Sequence, residues 1–247
     1  MKKLILIPCL ALLASQCFAQ ATTKVTKDSL VYREKYSVLK SDPKIKQGDY
    51  TLMLAASTKI LTTGYYKNNK KDGLWHDYDF KDFVASEGKY KDGQKVGEWK
   101  YFGDLWKLTN TYDFTKHQLT FHDPTKLDST NVYKVVRGPH DTISTKLDYG
   151  PIYLSGEYVM YRPLLYEFIA PPEAVKNQIA DRVFVSFTVD ENGQTRDYHA
   201  DNHVGYGCEE EAIRVVKLIP NDWVPGRLKG KNVAVVLRIP VGFNFRK

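Results

Sequence analysis

The sequence predicts a mainly β protein that ends in a small α+β domain, and three observations carry that reading. A Gly-x-aromatic signature recurs at Gly48-x-Tyr50, Gly64-x-Tyr66, Gly73-x-Trp75, Gly88-x-Tyr90 and Gly97-x-Trp99, with gaps of 16, 9, 15 and 9 residues. That alternation is a two-strand unit repeated every 24 or 25 residues, the mark of a repeat architecture. After residue 166 the text changes to a short helix, two alternating strands, an amphipathic helix and a closing strand. The chain is also rich in Tyr (17) and Phe (11), which suit a pleated, half-buried surface.

Taken in order, residues 1–19 form a secretory leader. Lys2 and Lys3 precede the apolar run "LILIPCLALLA", and "CFA" supplies a small residue before Gln20. The apolar run falls short of the roughly 20 residues a membrane span needs, and Pro8 interrupts it. The alternatives are an uncleaved leader that anchors the chain in the membrane, and a lipid on Cys17, which Gln16 disfavours because a small residue is wanted there. With Cys9 and Cys17 in the leader, Cys208 is the one thiol of the exported chain, so no internal disulfide forms. The layout places the protein outside the cytoplasm, in the periplasm or cell envelope.

Residues 20–35 are polar and read as a flexible lead-in. Residues 36–123 are the β-repeat domain. "NNKKDG" and "KDGQ" are hairpin turns, since Gly, Asn and Asp accept positive φ at low cost. A lone hairpin is marginal in water, so stacking lets each bury aromatics on the next. "LWKLTNTYDF" and "HQLTFHD" read as a degenerate last unit that closes the sheet. Residues 124–166, with "RGPHDT" and "DYGPIY", read as a connector that builds no elements of its own. Residues 167–247 are the C-terminal domain. "PPEAVKNQIA" is a short helix with Pro172 in its first turn. "DRVFVSFTV" and "QTRDYHADNHV" are strands joined by "DENG". "CEEEAIRVVKLI" is amphipathic, with acids at its positive end. "NVAVVLRIPVGFNF" is the last strand, and Pro240 argues that it has an open edge.

The repeats, "GYYKNNKKDGLW" and then "GKYKDGQKVGEW", resemble the MORN repeat family in its antitoxin-like variant. That implies an elongated β-meander used as a scaffold or binding face. The later text, "PPEAVKNQIADRVFVSFTVDENGQTRD" followed by "GCEEEAIRVVKLIPNDWVPGRLKGKNVAVVLRIPVGFNF", resembles the TonB C-terminal domain family over residues 167–245. Ala170, Asp181 and Gly226 depart from the family's usual residues. The resemblance implies binding without catalysis. An extended peptide of an envelope protein or outer-membrane transporter would add to the sheet edge formed by Val233, Val235, Leu237, Ile239 and Val241.

Other chemistry finds little support. The net charge of +7 is spread along the chain, and no basic block suits nucleic acid. No nucleophile elbow, phosphate-cradling loop or zinc-helix motif occurs, so no enzyme activity, catalytic residue or cofactor is expected. Asp77 and Asp79 read as a solvated sheet face rather than a glycosidase pair. On a strand, His199 and His203 would stand about 13 Å apart at roughly 3.3 Å per residue, too far for one metal ion. Tyr66, Trp75, Tyr90 and Trp99 form an aromatic face, read either as stacking core or as a groove for peptide or glycan, peptidoglycan included. The favoured expectation is an exported TonB-like adaptor that recognises an extended peptide. The alternatives are a complete energy transducer, if the leader is retained as an anchor, and a glycan-associated scaffold.

Overall fold

The computed structural model describes residues 20–57, 59–103, 106–123, 131–138 and 141–246. The leader read over residues 1–19 lies outside them. Nine strands run as a continuous antiparallel meander: β1 (Thr22–Asp28), β2 (Tyr32–Leu39), β3 (Lys46–Leu54), β4 (Ile60–Lys67), β5 (Lys70–Tyr78), β6 (Val84–Lys91), β7 (Gln94–Phe102), β8 (Leu108–Asp113) and β9 (Gln118–His122). Each strand pairs with its sequence neighbours, so the sheet is assembled entirely from hairpins.

The repeat has a steric core. A Cβ on Gly64 would sit 2.1 Å from the Trp75 indole, and one on Gly88 would sit 2.2 Å from Trp99. Only glycine lets the ring lie against the neighbouring strand. Eleven residues therefore separate each glycine from the tryptophan that covers it. The indole N–H donates to a backbone carbonyl in both units, Trp75 to Tyr65 (3.2 Å) and Trp99 to Lys89 (3.1 Å). Gly73 and Gly97 take φ of 67° and 62° beside the register shifts of β4–β5 and β6–β7, where a residue with a Cβ would be strained.

Two expectations need correction. Residues 20–35 are no flexible lead-in: β1 pairs with β2 along its whole length, from Thr22 opposite Leu39 to Asp28 opposite Arg33. Its polar surface concealed a run of β-branched Thr22, Thr23, Val25 and Thr26, which favour an extended chain. Nor is the connector without elements. It contains β10 (Val132–Gly138), β11 (Asp141–Lys146), β12 (Ile152–Tyr153) and helix α1 (Gly156–Tyr166).

The C-terminal segment runs through α2 (Pro172–Lys176), β13 (Ala180–Val189), β14 (Thr195–Ala200), α3 (Cys208–Lys217), β15 (Trp223–Val224), β16 (Gly226–Leu228), β17 (Lys231–Val233) and β18 (Val235–Asn244), so the stretch expected as one last strand is divided at Ala234 and is preceded by two short strands that were not expected. The main C-terminal sheet has the order β11-β10-β18-β13-β14, so the connector hairpin extends it. Val183, Val185, Phe187 and Val189 of β13 and Val235, Ile239, Val241 and Phe243 of β18 are buried, and all but Val235 join one cluster with Ala212, Val215 and Val216 of α3. Among the described residues no helix is long and apolar enough to cross a membrane.

The two halves share a core. Leu154, which follows β12, and Val224 of β15 join Trp75, Trp99 and Tyr101 of the meander in one buried cluster. Lys95 Nζ lies 2.6 Å from Asp222 Oδ1, and Ser155 Oγ donates to Asp222 Oδ2 at 2.5 Å. Both members of the ion pair are mostly buried.

Candidate functional site

Strand parity decides which groups the C-terminal sheet can offer. Pro240 stands opposite Phe184 in the β13–β18 register. Pro240 has no N–H, and Phe184 spends its own groups on the other side: its N–H donates to Asn202 Oδ1 and its C=O accepts from Asp201 N–H. Leu237, Ile239 and Val241 therefore exchange main-chain bonds with β13, while Arg238, Pro240 and Gly242 turn theirs outward. On that outward side β10 pairs with only Val235 and Val236, through Val135 and Lys134, and Val136 N–H donates to Ala234 O.

The residues expected to form the peptide-binding edge are thus placed differently. Val233 belongs to β17 and pairs with Gly226. Val235 is buried and lies where β10 already pairs with β18. Leu237, Ile239 and Val241 pack toward the helix side, with their backbone groups committed to β13. The open part of β18 begins after Val236 and presents Arg238, the C=O of Pro240, and Gly242. The period-2 pattern identified the buried face, and the edge groups belong to the residues between.

Helix α3 fixes the underside of this sheet. Gly207 adopts φ 83° just before it, and Cys208 is fully buried at its first turn. Burial, with Glu209 and Glu210 nearby, pushes the Cys208 thiol pKa up, so it is a packing residue. Glu211 is only 8 % exposed. Burial opposes its charge, but Arg214 (2.7 Å) and the Ile169 N–H (2.6 Å) outweigh it and hold the carboxyl below its ordinary range. This pins the chain that enters the domain onto α3. His203 meets Glu209 at 3.1 Å and His199 meets Asp201 at 3.5 Å, so the two histidines serve different carboxylates.

Above the sheet lies a trough of about 1270 Å³ between the β10–β11 hairpin and β14. Arg238 lies on its floor, 3.9 Å from the Phe184 ring centroid and 2.8 Å from Asp201. Lys134 and Arg137 stand on its wall.

The aromatic face of the repeats is closed. Trp75 and Trp99 are 2 % and 1 % exposed, so they are core and not a groove; Tyr66 and Tyr90 are half-buried beside them, with edge-on ring contacts at 5.3 and 5.6 Å from Trp75. The sequence reading missed a lysine ladder on this face. Lys46, Lys71 and Lys95 each stand two residues before Gly48, Gly73 and Gly97. Their ammonium groups lie over Tyr36 (4.4 Å), Trp75 (4.2 Å) and Trp99 (4.5 Å), positions where cation–π attraction operates. The 24–25 residue spacing was the available signal.

Comparison with known proteins finds a family match for the C-terminal segment. Residues 171–245 match the family described as the C-terminal region of the Gram-negative bacterial TonB protein. That segment is a TonB C-terminal domain. No curated protein matches the chain. Among solved structures, a TarM crystal structure aligns over 41 % of this chain and 21 % of its own, at 10 % identity and a TM-score of 0.25. An S. aureus TarM mutant in complex with Fondaparinux, alpha-GlcNAc-glycerol and UDP aligns over 40 % and 20 %, at 11 % identity and the same TM-score. The chain thus spans about a fifth of TarM, and a likeness this low carries no argument.

Proposed function

We propose that this is a non-enzymatic, exported envelope protein whose C-terminal sheet recognises an extended segment of another envelope protein, such as an outer-membrane transporter, by strand addition. The observation that carries this reading is the sheet itself: a TonB C-terminal domain with main-chain donors and acceptors left open at its edges. Main-chain bonds would supply affinity and alternate side chains selectivity. The MORN-like meander serves as a rigid mount. Its aromatic face is consumed by stacking and by the C-terminal half, which leaves strand addition favoured over a glycan groove.

A photocrosslinking amino acid in place of Gly242 or Ser144, in the full chain in its native host, tests this. An adduct with an outer-membrane protein is expected from at least one position. Adducts from neither position, with both variants exported and accumulating like the unsubstituted chain, would overturn it.

A further inference from the structure

The sheet has a more complete edge than the one on β18. In the β10–β11 register Lys134 stands opposite Ser144, and Lys134 directs its main-chain groups to Val236 of β18. Parity then directs Ile143 and Thr145 toward β10 and leaves Thr142, Ser144 and Lys146 facing outward. No main-chain hydrogen bond reaches these outward groups among the described residues. The run contains no Pro and no residue with positive φ. By contrast, the open stretch of β18 lacks a donor at Pro240, and β14 at the far side carries Asp197 at φ 59°, a kink that blunts an edge.

Charge marks what would fit. Lys134, Arg137 and Lys146 form no ion pair among the described residues, and Asp141 is the one acid on the described part of the hairpin. Lys134 and Arg137 border the trough, where Arg238 is paired with Asp201 and Arg196 with Asp197, and where Glu191 also stands, so the unpaired positive charge lies on the hairpin itself.

We propose that the docking edge of the C-terminal sheet is β11, supplied by a hairpin outside the family-matched segment, and that its occupant is an extended, carboxylate-bearing segment of a partner protein. This rests on the strand-addition reading above and relocates its site. The β10–β11 hairpin caps the start of β18 and carries the free edge two strands outward.

The test pans a random octapeptide phage library against the immobilised full chain. It then compares recovered peptides on Ser144→Pro and Gly242→Pro variants. Both prolines replace residues whose N–H faces outward, a position that sheets tolerate, and a Cβ on Gly242 meets nothing within 4 Å. Recovered peptides should be rich in Asp and Glu. Ser144→Pro should weaken them about tenfold or more, as expected for loss of a main-chain bond in the new ladder, while Gly242→Pro leaves them unchanged. Peptide binding to the unsubstituted chain should slow amide exchange at Thr142 and Ser144, a readout independent of how the variants fold. Loss confined to Gly242→Pro, with no protection on β11, would overturn the β11 assignment and leave strand addition standing. Enrichment without acidic bias would overturn the charge selectivity. No enrichment, or binding indifferent to both prolines and to amide exchange, would overturn strand addition itself.

Discussion

Trp75 and Trp99 occupy the same place in two copies of one sentence, yet they live in different surroundings. Trp75 is surrounded by the meander's own rings, Tyr50, Tyr66 and Tyr90, at 5.3 to 5.6 Å. Trp99 meets Tyr90 on one side and Phe114 on the other, and its companion Lys95 reaches across to Asp222. The equivalent Lys71 forms no ion pair among the described residues, and burial lowers its pKa. The repeat thus sets the shape of each unit, while position in the stack decides what the unit does. Both copies meet the other half, but through different groups: the first through Tyr78, whose C=O accepts from Arg162 of α1, and the second through the buried Lys95–Asp222 ion pair.

The largest expected effect tests the shared part. Gly64→Val and Gly88→Val drive a side chain into an indole that has nowhere to move, and each should cost more than about 3 kcal/mol in urea unfolding. If either is neutral, the tryptophan-on-glycine contact is not the unit's steric core. Next, Trp75→Ala and Trp99→Ala should both lose about 3–5 kcal/mol, but they should diverge at the junction. The Leu154 amide, which donates to Asp222 O, should exchange faster in Trp99→Ala than in Trp75→Ala. Equal acceleration would erase the distinction between the copies.

Asp222→Ala isolates that distinction. It strands the Lys95 ammonium and the Ser155 hydroxyl in a partly buried site and should cost about 2–3 kcal/mol. Lys71→Met, which removes a lysine without a carboxylate partner, should change stability by no more than about 1 kcal/mol, because lost cation–π attraction and relieved desolvation oppose one another.

The smallest effect is a pH slope. Burial raises the phenol pKa of Tyr50, Tyr90 and Tyr101. An unfolded phenol titrates near about 10, so their contribution is complete below that pH and is lost as pH rises through it toward the folded values. Lys71 works the other way: its folded value is depressed, so its contribution improves as pH rises from there to about 10.4. Urea midpoints should fall above pH about 10 in the unsubstituted chain and fall more steeply in Lys71→Met. Parallel slopes would mean that Lys71 is not the opposing group.

Much of this was legible in the sequence because it is local. The hairpin turns, the glycine-to-tryptophan period and the α3 stripe are each fixed by residues within about a dozen positions. The lysine ladder obeys the same period, but a lysine's position in the sequence does not say whether its ammonium group lies over a ring. The β10–β11 hairpin was missed for another reason. "VYKVVRG" is strand-like on its own terms, but its two-pair contact with β18 joins residues about a hundred positions apart, and no pattern within either segment announces it. The edge of β18 fell between these cases. Pro240 showed that one side was open, but only the pairing with Phe184 showed which residues face it.

The meander grows by hairpins, each adding two strands at about 4.8 Å apiece. One 24-residue unit inserted between β5 and β6 would carry residue 20 about 10 Å further from β7 and would part Tyr32 and Tyr78 from the α1 residues they meet. The sheet is therefore a ruler with graduations written in glycine and tryptophan.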